Sequence, residues 1–131
     1  MIIDTSALLA IVLGEDDRGV YLDALLEAAE RRMSVANWLE AAMVVEGRGN
    51  AIAADRLDTF VKEAEIVLTP VSVDQAKLAR HAFRLYGRGR HPARLNIGDC
   101  FAYALARETA SPLLYKGDDF IHTDVEPALK D

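Results

Sequence analysis

A single cysteine, Cys100, in 131 residues excludes an internal disulfide and any cysteine-rich zinc site, and it leads us to expect a reducing, cytoplasmic setting. No apolar run approaches the roughly 20 residues that span a bilayer, so a membrane helix is excluded and no membrane partner is expected. Met1-Ile2-Ile3-Asp4 has no basic region ahead of its apolar run and is not expected to be a signal peptide. Positive charge is in deficit: 21 acids face 15 bases, for a net charge of −6, whereas proteins that coat nucleic acid non-specifically are usually basic. Internal repeats, low-complexity tracts and linkers are also missing, which leaves one domain over residues 1–131 as the expectation. What is present is a chain 51% hydrophobic and 27% charged, a composition that supports one core and argues against disorder.

Charge is sorted along the chain. Arg80, Arg84, Arg88, Arg90 and Arg94 fall within fifteen residues that contain no acid, while the stretch after Gly117 carries Asp118, Asp119, Asp124, Glu126 and Asp131. A function must account for both.

Strand and helix patterns alternate. Met1-Ile2-Ile3 is a short β-branched run that reads as a buried strand, with Thr5 or Ser6 positioned to cap a helix through Leu13. Asp16–Arg32 has apolar residues at helical spacing, acids early and Arg31-Arg32 late, as the helix dipole favours. Met33-Ser34-Val35 is a second strand, and Asn37 or Ser34 starts the helix that follows it. Asn50–Glu65 is helical, Ile66–Val71 a strand ended by Pro70, Val73–Tyr86 a helix, Gly87–Pro92 a loop, Asn96–Thr109 a helix and Pro112–Tyr115 a strand. A last short strand is expected near Val125. This order predicts a mainly parallel sheet with helices on both faces.

In such a sheet functional groups collect beyond the carboxyl ends of the strands. Asp4 directly follows the first strand, Glu40 lies near the start of the helix after the second, Asp99 sits in the opening turn of the helix begun at Asn96, and Asp118 and Asp119 follow the late strand. Each position also has an ordinary structural reading: Asp4 as a helix cap, Asn96 and Asp99 as a capping box, Glu40 as a solvated helical residue, Asp118-Asp119 as a turn. All four sit at one predicted edge, however, and Asp4, Glu40 and Asp99 have apolar flanks. Two carboxylates about 4 Å apart repel by about 4 kcal/mol at an effective dielectric near 20, and a helix N-terminus offsets only about 1 kcal/mol. Either a proton is shared and a pKa rises, or a divalent cation is held. An all-carboxylate oxygen set suits Mg²⁺ or Mn²⁺, and such an ion activates water and stabilises charge on a phosphoryl group. Metal-assisted phosphodiester hydrolysis is the chemistry this implies.

Four blocks in this order and spacing resemble the PIN-domain ribonucleases, specifically the VapC toxins of toxin–antitoxin pairs: Ile2-Ile3-Asp4-Thr5-Ser6-Ala7-Leu8, Asn37-Trp38-Leu39-Glu40, Asn96 through Ala106, and Leu114-Tyr115-Lys116-Gly117-Asp118-Asp119-Phe120. The resemblance covers essentially the whole chain. It implies a three-layer α/β/α PIN-like fold with about five mainly parallel strands, and Mg²⁺- or Mn²⁺-dependent endoribonuclease action. It carries the family's acidic pocket onto Asp4, Glu40 and Asp99, with Asp4 and Asp99 as the most direct metal ligands. Asp118 and Asp119 compete for the fourth place, and Asp119 is favoured because it precedes Phe120. Thr5, Ser6 and Asn96 would support the pocket. It also implies a homodimer and a VapB-type antitoxin, for which the first helices (Val12, Leu13, Leu22, Leu25, Leu26) and the Trp38–Val45 helix offer an apolar groove.

Acids alone cannot hold an RNA backbone, so Arg84, Arg88, Arg90 and Arg94 are the candidate guides, with Tyr86 able to stack on a base. The other reading of these arginines is a solvated connection between helices. His81, His91 and His122 lack paired ligand spacing, and Cys100, among apolar neighbours, reads as a small buried hydrophobe. The alternative function is a PIN-like or receiver-like metal-binding module that works through protein partners without cleaving RNA. A receiver domain wants paired acids after its first strand, whereas Thr5-Ser6 follow Asp4. A haloacid-type phosphatase wants an Asp where Ser6 stands.

Overall fold

The structure is a computed structural model that describes residues 1–89 and 91–130. Arg90 and Asp131 therefore lie outside the described residues. The elements run β1 (Ile2–Ile3), α1 (Thr5–Val12), α2 (Arg18–Glu27), β2 (Arg32–Ser34), α3 (Val35–Gly47), α4 (Ala51–Glu63), β3 (Val67–Thr69), α5 (Val73–Tyr86), α6 (Ile97–Glu108) and β4 (Leu113–Leu114). The four strands form one parallel sheet in the order β3-β2-β1-β4.

Very short strands suffice because each serves both faces. Successive strand side chains point to opposite sides. Ile3, Met33 and Leu114 join the core built by α1, α2, α3 and α4, while Ile2 and Leu113 join the core of α5 and α6. The result is the expected three-layer α/β/α arrangement. Leu8, Leu25, Met33, Leu57, Leu105 and both β4 leucines are fully buried. At roughly 1.5–3 kcal/mol for each large apolar side chain removed from water, this burial, rather than ladder length, holds the sheet.

Several boundaries differ from expectation, each for a local reason. Asp4, the cap offered by its structural reading, caps α1 in place of Thr5 or Ser6: its Oδ2 accepts from the Ser6 amide at 3.0 Å. Of the two starts expected for α3, Ser34 is the cap. The helix expected over Asp16–Arg32 is α2 alone, because the Arg31 guanidinium turns back to the Leu25 and Leu26 carbonyls at 2.7 and 2.8 Å and closes the chain behind α2. The sheet has four strands rather than about five. The segment near Val125 contributes only an isolated bridge, Pro127 to Leu113, with the Leu113 amide donating to the Glu126 carbonyl at 2.8 Å.

Candidate metal-binding active site

Parallel pairing delivers the acids to one edge. The Asp4 amide donates to the Leu114 carbonyl at 2.9 Å, so Asp4 directly follows β1 and stands beside the end of β4. There it is only 4% exposed. Its Oδ2 accepts from the Ser6 amide at 3.0 Å and from Ser6 Oγ at 2.6 Å. Burial outweighs these bonds, and with the charge of Glu40 adding to it, the Asp4 carboxyl is pushed up to about 6.

Glu40 lies on α3, just over one turn in. Thr5 Oγ1 donates to its Oε1 at 2.6 Å, with the Asn37 carbonyl as a second acceptor at 3.0 Å. Asn37, three residues earlier and fully buried, donates from Nδ2 to the Gly98 carbonyl at 2.9 Å and so fastens α3 to the start of α6. The Glu40 carboxylate then rests on Gly98. A Cβ built there would meet Oε2 and Oε1 at 2.5 and 2.6 Å, and the missing side chain is what lets α3 deliver this acid.

Asp99 opens α6 in the expected capping box: the Asn96 amide donates to Asp99 Oδ2 at 3.1 Å, and the Asp99 amide to Asn96 Oδ1 at 2.9 Å. It is 8% exposed. Burial above all, then the charges of Asp4 and Asp119 and a side-chain hydrogen bond with Asp119, push its carboxyl up to about 8 against the lowering effect of the Asn96 amide. The electrostatic partners thus chain the acids together, Glu40 to Asp4, Asp4 to Asp99 and Asp99 to Asp119. Of the two candidates after β4, Asp119 is the one whose charge and hydrogen bond raise Asp99. Both are exposed. They follow Gly117, whose φ of +104° belongs to the region where glycine turns the chain without steric cost.

The structural readings therefore hold for the residues singled out on chemical grounds: Asp4 caps α1, Asp99 completes the capping box of α6, and Asp99 also feels the charge of Asp4. Among the described residues no three His, Cys, Asp or Glu side chains are gathered at the spacing of a formed metal centre. Asp4, Glu40 and Asp99 are instead each held by a hydroxyl or amide partner. The donor chemistry nevertheless fits a hard divalent cation. The set is all oxygen, two of its carboxyls are nearly dry, and Asn37 Oδ1 adds a buried oxygen without a hydrogen-bond partner.

The model of the family described as PIN domain matches residues 1–126. Ribonuclease VapC28 of Mycobacterium tuberculosis is 49% identical over 130 residues, 98% of each chain, and Ribonuclease VapC of Mycolicibacterium smegmatis is 47% identical over 125 residues, 95% of this chain and 97% of that one. The chain belongs to the PIN-domain family, in its VapC branch. Among solved structures, VapC20 of Mycobacterium tuberculosis, described as a sarcin-ricin loop cleaving toxin, superposes with a TM-score of 0.74 at 18% identity, covering 96% of this chain and 98% of that one. A toxin–antitoxin complex from Klebsiella pneumoniae gives 0.70 at 18% identity, with coverage of 94% and 92%. These two establish the fold. The VapC relatives favour the ribonuclease reading over the binding-module alternative.

Other expectations for this VapC-branch chain sort clearly. Arg84, Arg88 and Arg94 are exposed, and none of them forms an ion pair among the described residues. Tyr86 does not present a free ring: it stacks edge-on with His91 at 5.1 Å and tilts against Tyr103 at 5.7 Å. Cys100 is buried, and its thiol is pushed up to about 11 by burial. Sequence reasoning overlooked Gly98 and Lys116. Gly98, flanked by capping residues, carried no sign that an acid 58 positions earlier needs its missing side chain.

Proposed function

We propose that this protein is a Mg²⁺- or Mn²⁺-dependent endoribonuclease toxin. The observation that carries the reading is the burial of Asp4 and Asp99 at one sheet edge, both raised in proton affinity and both linked to a further acid. Protonating such carboxyls is one way to relieve the repulsion, and neutralising them with a cation is the other. Asp4, Asp99 and Glu40 would hold the ion, with Asp119 alongside. When bound, the ion supplies charge stabilisation to the phosphoryl oxygens and lowers the pKa of water.

The chain's own residues do the rest. Ser6 and Asn96 hold Asp4 and Asp99 with their hydrogen bonds. Thr5 and Gly98 set the rotamer of Glu40. Asp119, exposed beside Asp99, would reach the ion through water or hold a second one. Arg84, Arg88 and Arg94 would engage phosphates outside the pocket, and Arg90 is offered for the same task from the sequence alone. The test is cleavage of a labelled RNA with Mg²⁺ or Mn²⁺ against EDTA, with Asp4→Asn as control, followed by end-mapping of cellular RNA after brief induction. Cleavage that persists in EDTA or in Asp4→Asn would refute the assignment.

The partner reading follows the VapC branch. A groove of about 580 Å³ opens between α1, α2 and α4, lined by Ile11, Val12, Leu22, Ile52 and Phe60, and we assign it to a VapB-type antitoxin segment. Of the expected residues it keeps Val12 and Leu22, whereas Leu13, Leu25 and Leu26 do not line it and α4 takes the place expected for the Trp38–Val45 helix. Val35, Leu39 and Met43 form an exposed i, i+4, i+8 stripe on α3, offered as the homodimer face. Mass measurement on the chain alone and with its genomic neighbour's product tests both. No described helix is long and apolar enough to cross a membrane, and the lone buried thiol suits the cytoplasm.

A further inference from the structure

Lys116 lies at the junction between β4 and the Gly117 turn that leads to Asp119, and it is held at both ends. Its backbone N–H donates to Ser6 Oγ at 2.9 Å. Its ammonium pairs with Glu15 Oε1 at 2.7 Å and Asp17 Oδ1 at 2.9 Å, in the loop between α1 and α2. These contacts close sequence separations of 110, 101 and 99 residues.

We infer that Lys116 is a positioning residue, whose pairing with Glu15 and Asp17 fixes the turn from which its own amide sets Ser6 and, through Ser6, the Asp4 carboxylate. The inference rests on the nuclease reading above for its effect on cleavage. A serine hydroxyl has one proton. Because the Lys116 amide can only donate, it occupies a lone pair of Ser6 Oγ, and the Ser6 proton is thereby committed to Asp4 Oδ2 at 2.6 Å. If the amide withdraws, the hydroxyl is free to rotate and Asp4 loses a fixed charge-assisted bond. The same withdrawal moves the start of the Gly117 turn and with it the approach of Asp119 to Asp99.

Two other roles for Lys116 fit less well. An RNA phosphate anchor should present free positive charge, but two carboxylates already face this ammonium and leave the group net negative. A purely stabilising ion pair is also a poor account, because the three side chains are each more than a third exposed and exposed pairs add little to stability. What a doubly tethered lysine does supply is a defined place for its own backbone.

The test compares Lys116→Gln and Lys116→Arg with the full-length parent. Cleavage of a 5′-labelled RNA oligonucleotide with Mg²⁺ is measured alongside amide hydrogen exchange of the metal-free chain. We expect Lys116→Gln to lower kcat about tenfold with KM within about twofold, and to speed exchange across 115–119 by about tenfold or more. The melting temperature should move by no more than about 3 °C, and Lys116→Arg should recover most of the loss. The pair Glu15→Gln with Asp17→Asn, which leaves Lys116 in place without partners, should reproduce the Lys116→Gln signature and guards against a variant that fails to fold. Unchanged exchange across 115–119 would overturn the inference, as would a loss confined to KM with a shallower salt dependence, which would mark a phosphate contact. If the parent cleaves no RNA with either metal, the nuclease reading fails, while the exchange measurement still decides the tether.

Discussion

The acids and the arginines of this protein are treated in opposite ways. Asp4 and Asp99 arise 95 positions apart, and the fold draws them out of water to one edge where each feels another acid's charge. Arg84, Arg88 and Arg94 are close neighbours in sequence, yet they stay exposed and without acidic partners among the described residues. Burying like charges is costly and persists only where something compensates. Exposed, unpaired cations are cheap and remain available to a mobile anion. On the proposed function this contrast would divide the labour: the buried acids for the ion and the chemistry, the arginines for the backbone of the substrate.

Removing one buried charge should have the largest effect. Asp4→Asn keeps the cap, since Asn caps as well as Asp, and Asp99→Asn keeps an acceptor for the Asn96 amide. Both should fold while cleavage falls by about 10³-fold or more, as expected when a metal-holding charge is lost. A metal-dependent rate within about tenfold of the parent in either variant would break the comparison.

The same charges should make the metal-free protein less stable as pH rises. Both carboxyls have folded pKa values above the ordinary value of 3.8, so the folded state binds the protons more tightly than the unfolded chain does. That stability is complete below about pH 4 and is lost as pH climbs through about 6 for Asp4 and about 8 for Asp99. At about 1.4 kcal/mol for each tenfold in proton affinity, the Asp4 share is roughly 3 kcal/mol. About half of that share, roughly 1.4 kcal/mol, is lost between pH 5 and pH 8, which corresponds to a fall in Tm of roughly 5 °C in EDTA from Asp4 alone. Mn²⁺ should restore much of it at pH 8. A flat or rising Tm without metal would show that the acids are not strained by burial.

How much of this could be read from sequence follows the same division. The alternation of short apolar runs with 3.6-periodic segments exposed the parallel sheet, and strand-end position then placed Asp4, Glu40 and Asp99 on one edge, because parallel topology converts sequence order into spatial order. Local capping chemistry showed the Asn96–Asp99 box. The pieces that stayed hidden depend on contacts across the chain. Nothing near Gly98 indicates that Glu40 will lean on it, and nothing near Lys116 indicates Glu15 and Asp17. Tyr86 looked available for stacking until His91 and Tyr103 closed on it. The last strand expected near Val125 failed because its segment pairs with Leu113 through the single Pro127 bridge, too little pairing to make a strand.

Gly98→Ala should have an intermediate effect. The new methyl meets only the end of a flexible carboxylate, so the fold should survive with Glu40 swung aside. Cleavage should drop by about 10- to 100-fold, a loss of 1.4–2.8 kcal/mol in transition-state stabilisation. The higher metal concentration needed for half-maximal rate would locate the loss at the ion rather than at RNA binding. On the other side of the comparison, Arg84→Gln with Arg88→Gln should leave the metal requirement untouched and weaken RNA binding. The slope of log affinity against log salt should fall by about 1.4, or about 0.7 for each single-strand phosphate contact removed. An unchanged slope would return these arginines to a solvated connection between helices.

The smallest effect separates burial from mere acidity. Asp118 and Asp119 are adjacent, identical in type and both exposed, but only Asp119 acts on the buried Asp99, by charge and by hydrogen bond. Asp119→Asn should therefore slow cleavage by about tenfold, and Asp118→Asn by less than about twofold, the range of an exposed charge that only alters the field at the pocket mouth. The residual Asp118 effect should vanish as salt is raised, whereas the Asp119 effect should persist, because a direct hydrogen bond is not screened. If the two variants exchange ranks, the acid that serves the pocket is chosen by the Gly117 turn in the working enzyme rather than by its contact with Asp99.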